Sequence, residues 1–70
     1  MPEKTWIGPP PKTCDSCGTA IITVFVDGKV RRGPWGCLCP GCHTLDGVGL
    51  GEGRGQQYTL RDGIWVKTGG

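Results

Sequence analysis

The chain has 70 residues and a net charge of +2, with eight Lys and Arg against six Asp and Glu. Fourteen glycines, six prolines and a hydrophobic share of 36% leave little apolar side chain for a conventional core. Ordering a chain this short costs on the order of 100 kcal/mol, so the fold calls for a staple. No apolar run approaches the ~18 residues of a membrane helix, and the mild charge excess does not by itself announce nucleic-acid binding.

Met1-Pro2-Glu3-Lys4-Thr5-Trp6 lacks the apolar stretch of a signal peptide, which predicts a soluble intracellular protein. Residues 1–13 read as a Pro-rich N-terminal arm, because Gly8-Pro9-Pro10-Pro11 favours polyproline II and cannot lie inside a helix. Such an arm is either a flexible tail or a strap in which Trp6 and Ile7 fold back over a small core. Residues 14–70 then form a single domain. Its first element is a tight turn at Cys14-Asp15-Ser16-Cys17-Gly18.

Residues 19–26 are rich in β-branched side chains, Asp27-Gly28 follows, and Lys29-Val30-Arg31-Arg32 returns. An Asp-Gly pair between β-prone runs predicts a hairpin with that pair at its tip. Gly33-Pro34 ends the return strand, and Trp35-Gly36 leads into the second cysteine cluster. From Gly47 to Gly55 glycine occupies every second position. Neither of the glycine patterns that cradle phosphates is present, so this run reads as a connector, or as a loop whose bare amides approach a nucleic-acid backbone or a protein. Residues 56–61, Asp62-Gly63 and residues 64–68 predict a second hairpin. No segment shows sustained helical periodicity, so at most one turn of helix is expected, after His43.

The cysteines carry the chemistry. Cys14-x2-Cys17 and Cys39-x2-Cys42 are separated by 21 residues, slightly more than the ~15–20 usual between paired zinc knuckles. Two residues between thiolates let both sulfurs point into one tetrahedral site about 2.3 Å from a zinc ion. Disulfides fit poorly, because the cysteine count is odd and the expected compartment is reducing. Cys39-Pro40-Gly41-Cys42-His43 also matches the attachment pattern of c-type haem. That chemistry would need export and would leave Cys14 and Cys17 unused. Cys14, Cys17, Cys39 and Cys42 are therefore the expected ligands of one structural Zn2+. Cys37 and His43 stand as alternative ligands, or as a small buried residue and a neighbour of the site. A catalytic Cys–His pair is disfavoured, since four closed ligands leave zinc no open position.

Trp35, Tyr58 and Trp65 in so small a chain are core candidates, yet not every ring can be hidden. Exposed rings beside Arg or Lys bind single-stranded nucleic acid. Arg31, Arg32, Trp35, Arg54 and Tyr58 are the candidate contacts, with Lys29 and Arg61 as further sources of charge. Adjacent residues of a strand face opposite sides, so Arg31 and Arg32 do not automatically form one patch.

Trp6-Ile7-Gly8, Cys14-Asp15-x-Cys17-Gly18, Asp27-Gly28-Lys29, Gly33-Pro34-Trp35, Cys39-Pro40-x-Cys42-His43, the alternating glycines and Gly63-x-Trp65 resemble a family of small zinc-ribbon proteins of bacteriophages and prophages. The resemblance runs from Trp6 to Trp65. It implies a phage-encoded accessory protein in the cytoplasm of a bacterial host, and it carries a ligand role onto Cys14, Cys17, Cys39 and Cys42. Cys37 departs from that pattern, which does not demand a cysteine there.

The expected fold is a small zinc-stabilised all-β zinc ribbon with two β-hairpins, two Cys knuckles and little or no helix. The expected function is a non-enzymatic accessory that binds DNA or RNA. The alternative is an adaptor or inhibitor that binds a host protein without nucleic-acid contact. Neither reading involves a membrane or a small-molecule substrate, and both expect a monomer.

Overall fold

Val24, Phe25 and Val26 begin a strand with the extended backbone that β-branched and aromatic residues favour. The computed structural model of the chain describes residues 4–70, so residues 1–3, the first part of the predicted arm and of the segment searched for a signal peptide, lie outside the described residues. The elements are β1 (Val24–Lys29), β2 (Trp35–Leu38), α1 (Pro40–Asp46), β3 (Gly55–Arg61) and β4 (Ile64–Gly69). The four strands form one antiparallel sheet in the order β2-β1-β3-β4. Among the described residues no helix is long and apolar enough to cross a membrane.

The two Asp-Gly pairs have different fates. Asp62 and Gly63 make the predicted tip between β3 and β4, with φ of 51° and 78°. Positive φ at both central residues is the type I′ geometry that matches strand twist. Asp27 and Gly28 instead lie within β1, opposite Cys37 and Gly36 on one side and Gln56 and Gly55 on the other. The expected first hairpin is therefore displaced. Its turn spans Val30 to Pro34, where the Val30 amide donates to the Pro34 carbonyl and the Gly33 amide to the Val30 carbonyl, both at 2.9 Å. Gly33, at φ 112°, supplies the left-handed residue. Gly28 serves close packing. A Cβ there would meet the Arg54 carbonyl at 3.2 Å and the Gly55 Cα at 3.3 Å.

Residues of alternate parity bury opposite faces of the sheet. Phe25, fully buried, stacks on Tyr58 with centroids 5.4 Å apart and takes the edges of Trp6 and Trp65 at 5.2 and 4.9 Å. On the other face Val26 and Leu38 are buried cross-strand partners, and Leu38 continues into a cluster with Cys14 and Val30, against which Cys39 and Cys42 pack.

The described part of the arm is a strap for half of its predicted apolar pair. Thr5 pairs antiparallel with Val66, and the Trp6 amide donates to the Trp65 carbonyl at 2.9 Å. The Trp6 indole N–H donates to the Pro9 carbonyl at 3.1 Å as the chain turns at Gly8, whose φ is 94°. Ile7 points away and is 91% exposed. The helix also departs from expectation, since its seven residues begin before His43, at Pro40.

Candidate metal centre

Each pair of cysteines sits in a turn whose own amides face sulfur. In the first, the Cys14 amide donates to the Thr19 carbonyl and the Gly18 amide to the Cys14 carbonyl, at 2.8 and 2.9 Å. The Ser16 and Cys17 amides then lie 3.4 and 3.5 Å from Cys14 Sγ as donors. Gly18 closes the turn at φ 77°. In the second, Cys39 caps α1, and its sulfur accepts from the Cys42 amide at 3.4 Å. Pro40 follows at the first helical position, where a missing N–H costs nothing. The helix that periodicity could not reveal is thus set by a cysteine cap and a proline.

The first turn is tied to the sheet through Asp15. Its amide donates to the Cys37 carbonyl at 2.8 Å, and its carboxylate accepts from the Cys37 amide at 2.9 Å. Asp15 so covers the open edge of β2 as a further strand would. Gly36 permits the approach, since a Cβ there would lie 3.0 Å from the carboxylate oxygen.

The result brings the sulfurs of Cys14, Cys17, Cys39 and Cys42 within 4.8 Å of one another, with 3.8 Å between Cys17 and Cys39. A tetrahedral ion with bonds of about 2.3 Å requires neighbouring sulfurs about 3.8 Å apart. The four cysteines are positioned to hold a metal ion. All five cysteines are free of disulfides. Cys37 and His43, the alternative ligands, are not members of the four-sulfur group. The His43 ring turns to the glycine run, and its Nε2 bonds the Gly49 carbonyl at 3.0 Å. A carbonyl only accepts, so Nε2 carries the proton. A Cβ at Gly47 would overlap the His43 ring and carbonyl, and one at Gly55 would lie 3.3 Å from Nε2. Two glycines of the run therefore make room for the imidazole.

The thiols differ electrostatically. The Thr19 hydroxyl, 3.0 Å from Cys17 Sγ, and the Thr19 amide lead in holding the Cys17 thiol down at about 6. Burial pushes Cys14 up, but the amides of Cys17, Cys39 and Ser16 outweigh it and leave this thiol below its ordinary value. Cys42 is pushed up to about 12 by sharing protons with Cys17, Cys39 and Cys14. A metal ion replaces those shared protons, so loading releases them. Outside the cluster, burial followed by the Asp27 and Asp15 carboxylates pushes Cys37 up to about 11. Near neutral pH Cys37 is an unreactive thiol, because only the thiolate attacks. Iodoacetamide is therefore expected to modify at most one cysteine of the metal-loaded protein and all five after chelation. Mass spectrometry checks this, and equal labelling of all five with and without chelator would contradict the site.

The candidate contact residues are dispersed. Arg31 and Arg32 occupy the turn between β1 and β2 and line different clefts. Arg32 shares one with Trp35 and Asp15. Trp35 is 50% exposed, and its indole N–H donates to Asp27 at 2.7 Å. Lys29 is its cross-strand partner. Arg54 is exposed and folds its guanidinium against Gly51. Tyr58 requires a correction. It is 3% exposed, its ring is stacked on Phe25, and its hydroxyl donates to Gln56 at 3.2 Å. Burial, then the Asp27 carboxylate, raises its pKa. With its ring enclosed by Phe25 and Trp6 it is core and offers no stacking surface.

No protein-family model, curated protein or solved structure matches this chain.

Proposed function

We propose that the metal is a single structural Zn2+ and that the domain is a non-catalytic module binding single-stranded nucleic acid at the β1–β2 turn. Four thiolates with tetrahedral spacing and no carboxylate among them suit zinc, and a closed ligand set leaves no position for a substrate. The observation that carries the nucleic-acid reading is Trp35. Its ring is half exposed, its orientation is fixed by Asp27, and Lys29 and Arg32 flank it. A rigid exposed ring between two cations stacks a base while the cations meet the phosphates. The resemblance to phage zinc ribbons supports an accessory role in the cytoplasm of a bacterial host, and the module acts as a monomer.

Titrating the zinc-loaded protein with a short oligothymidylate, followed by amide NMR, tests the reading. Shifts should centre on Lys29, Arg32 and Trp35 and weaken as salt rises, because phosphate contacts release counterions. Trp35→Ala should cost about 1–3 kcal/mol of binding, the usual worth of one stacked base. No shifts at low salt would overturn the reading and leave the protein-binding adaptor in its place.

A further inference from the structure

The turn between β1 and β2 sends its two arginines to different places, and only Arg32 belongs to the Trp35 surface. Arg31 stands at a separate cleft of about 620 Å³, between α1, the glycine run and the sheet. Small-molecule sites commonly measure about 300–1,000 Å³ and combine apolar walls with a few polar groups. The walls here include Val26, Val48 and Leu50.

Three features give the cleft a chemistry. First, among the described residues Arg31 is the only Lys or Arg that lines it, and no carboxylate does. An anion is favoured there, and a guanidinium fork suits the paired oxygens of a phosphate. Second, Gln57 lines the cleft from β3 with its side-chain N–H₂ donated to Thr68 at 3.1 Å. Its carbonyl oxygen is left to accept from a ring amino or imino group. Third, the walls are held in place. The Arg31 amide donates to the Asp46 carbonyl at 2.7 Å, the Val48 amide to the Lys29 carbonyl at 3.3 Å, and His43 holds Gly49. An opening that keeps its shape loses little entropy on binding.

From this arrangement we infer that the cleft binds one nucleoside monophosphate unit, with the phosphate on Arg31 and the base between the glycine run and the sheet beside Gln57. The choice of a nucleotide over another planar anion rests on the nucleic-acid reading above. The unit comes from a free nucleotide or from one residue of a bound strand.

Amide NMR of the zinc-loaded chain with AMP, adenosine, inorganic phosphate and a short oligoadenylate distinguishes the sources. AMP should shift Val48, Gly49, Leu50 and Gln57, and adenosine or phosphate alone should bind much more weakly. Arg31→Gln, at an exposed position, should keep the amide dispersion and weaken AMP about tenfold, the cost of one charged hydrogen bond. Trp35→Ala should leave AMP binding unchanged. If oligoadenylate shifts the Trp35 surface while neither ligand shifts the cleft, the inference is overturned and the function above stands. If AMP binds and no oligonucleotide does, the cleft stands as a free-nucleotide site and the strand-binding reading falls. Shifts by AMP that survive Arg31→Gln undiminished would overturn the assigned pose.

Discussion

Stripping the metal from this domain is expected to unfold it, with its dispersed amide spectrum collapsing to that of a disordered chain. The apolar cluster on the helix side of the sheet consists of Cys14, Val30 and Leu38, with Cys39 and Cys42 packed on it. Three of those five residues belong to the four-sulfur group, so a bound ion and this core would be one object. A core of a chain this size rarely supplies more than about 3–5 kcal/mol. A structural zinc site at neutral pH contributes roughly 10–16 kcal/mol. Cys14→Ser should be the most damaging single change among the four, because Cys14 is buried in this cluster and its sulfur receives the Ser16 and Cys17 amides. Cys37→Ser should leave metal affinity unaltered, since Cys37 lies outside the cluster. The pH dependence has a definite sign. The bound state holds fewer protons than the free thiols, above all at Cys42, which is pushed up to about 12 without metal. Affinity therefore falls as pH falls, and acid should release metal and fold together. A dispersed spectrum that persists in strong chelator would contradict this account.

The parts of the molecule legible in the sequence are those whose cause is local. Two residues between thiolates, twice, identify the four sulfurs that converge. Asp62-Gly63 needs only its own two positive φ angles to make a turn. The parts that misled are those where a distant partner decides. Asp27-Gly28 has the same turn propensity, but Gly28 is consumed by the close approach of Gly55, far along the chain. The turn falls instead at Gly33-Pro34, which by sequence marks only the end of a strand. Tyr58 and Trp35 are both aromatic residues near charge. One is enclosed and the other half exposed because Tyr58 sits opposite Phe25 in an inner strand, while Trp35 begins an edge strand. His43 gave one available signal. It is followed by glycine at every second position from 47, and a bulky ring beside a run without side chains has room to fold onto it.

Trp6→Ala carries the second large expectation, a loss of about 3 kcal/mol at the lower end of the usual cost of truncating a core aromatic. Trp6 is only partly buried, which argues for that lower end. Its ring nonetheless presents edges to both Phe25 and Tyr58, at 5.2 and 5.4 Å, and such pairs are worth about 0.5–1.5 kcal/mol beyond the area they bury. The same residue anchors the arm, because its amide donates to Trp65 and its indole N–H to Pro9. Losing the ring therefore also loosens the pairing of Thr5 with Val66 and uncovers the outer edge of β4. The four-sulfur group lies with the other apolar cluster, so a bound ion should stay in place while this half of the sheet opens. Hydrogen exchange separates the two. Amides of β4 should exchange faster in Trp6→Ala, while the Cys17 and Cys42 amides, held against sulfur, should keep their protection. Ile7→Ala, at a position 91% exposed, should change neither. Equal effects of the two substitutions would mean that the arm contributes through its backbone alone, and the Trp6 ring would then have no part in holding the aromatic face closed.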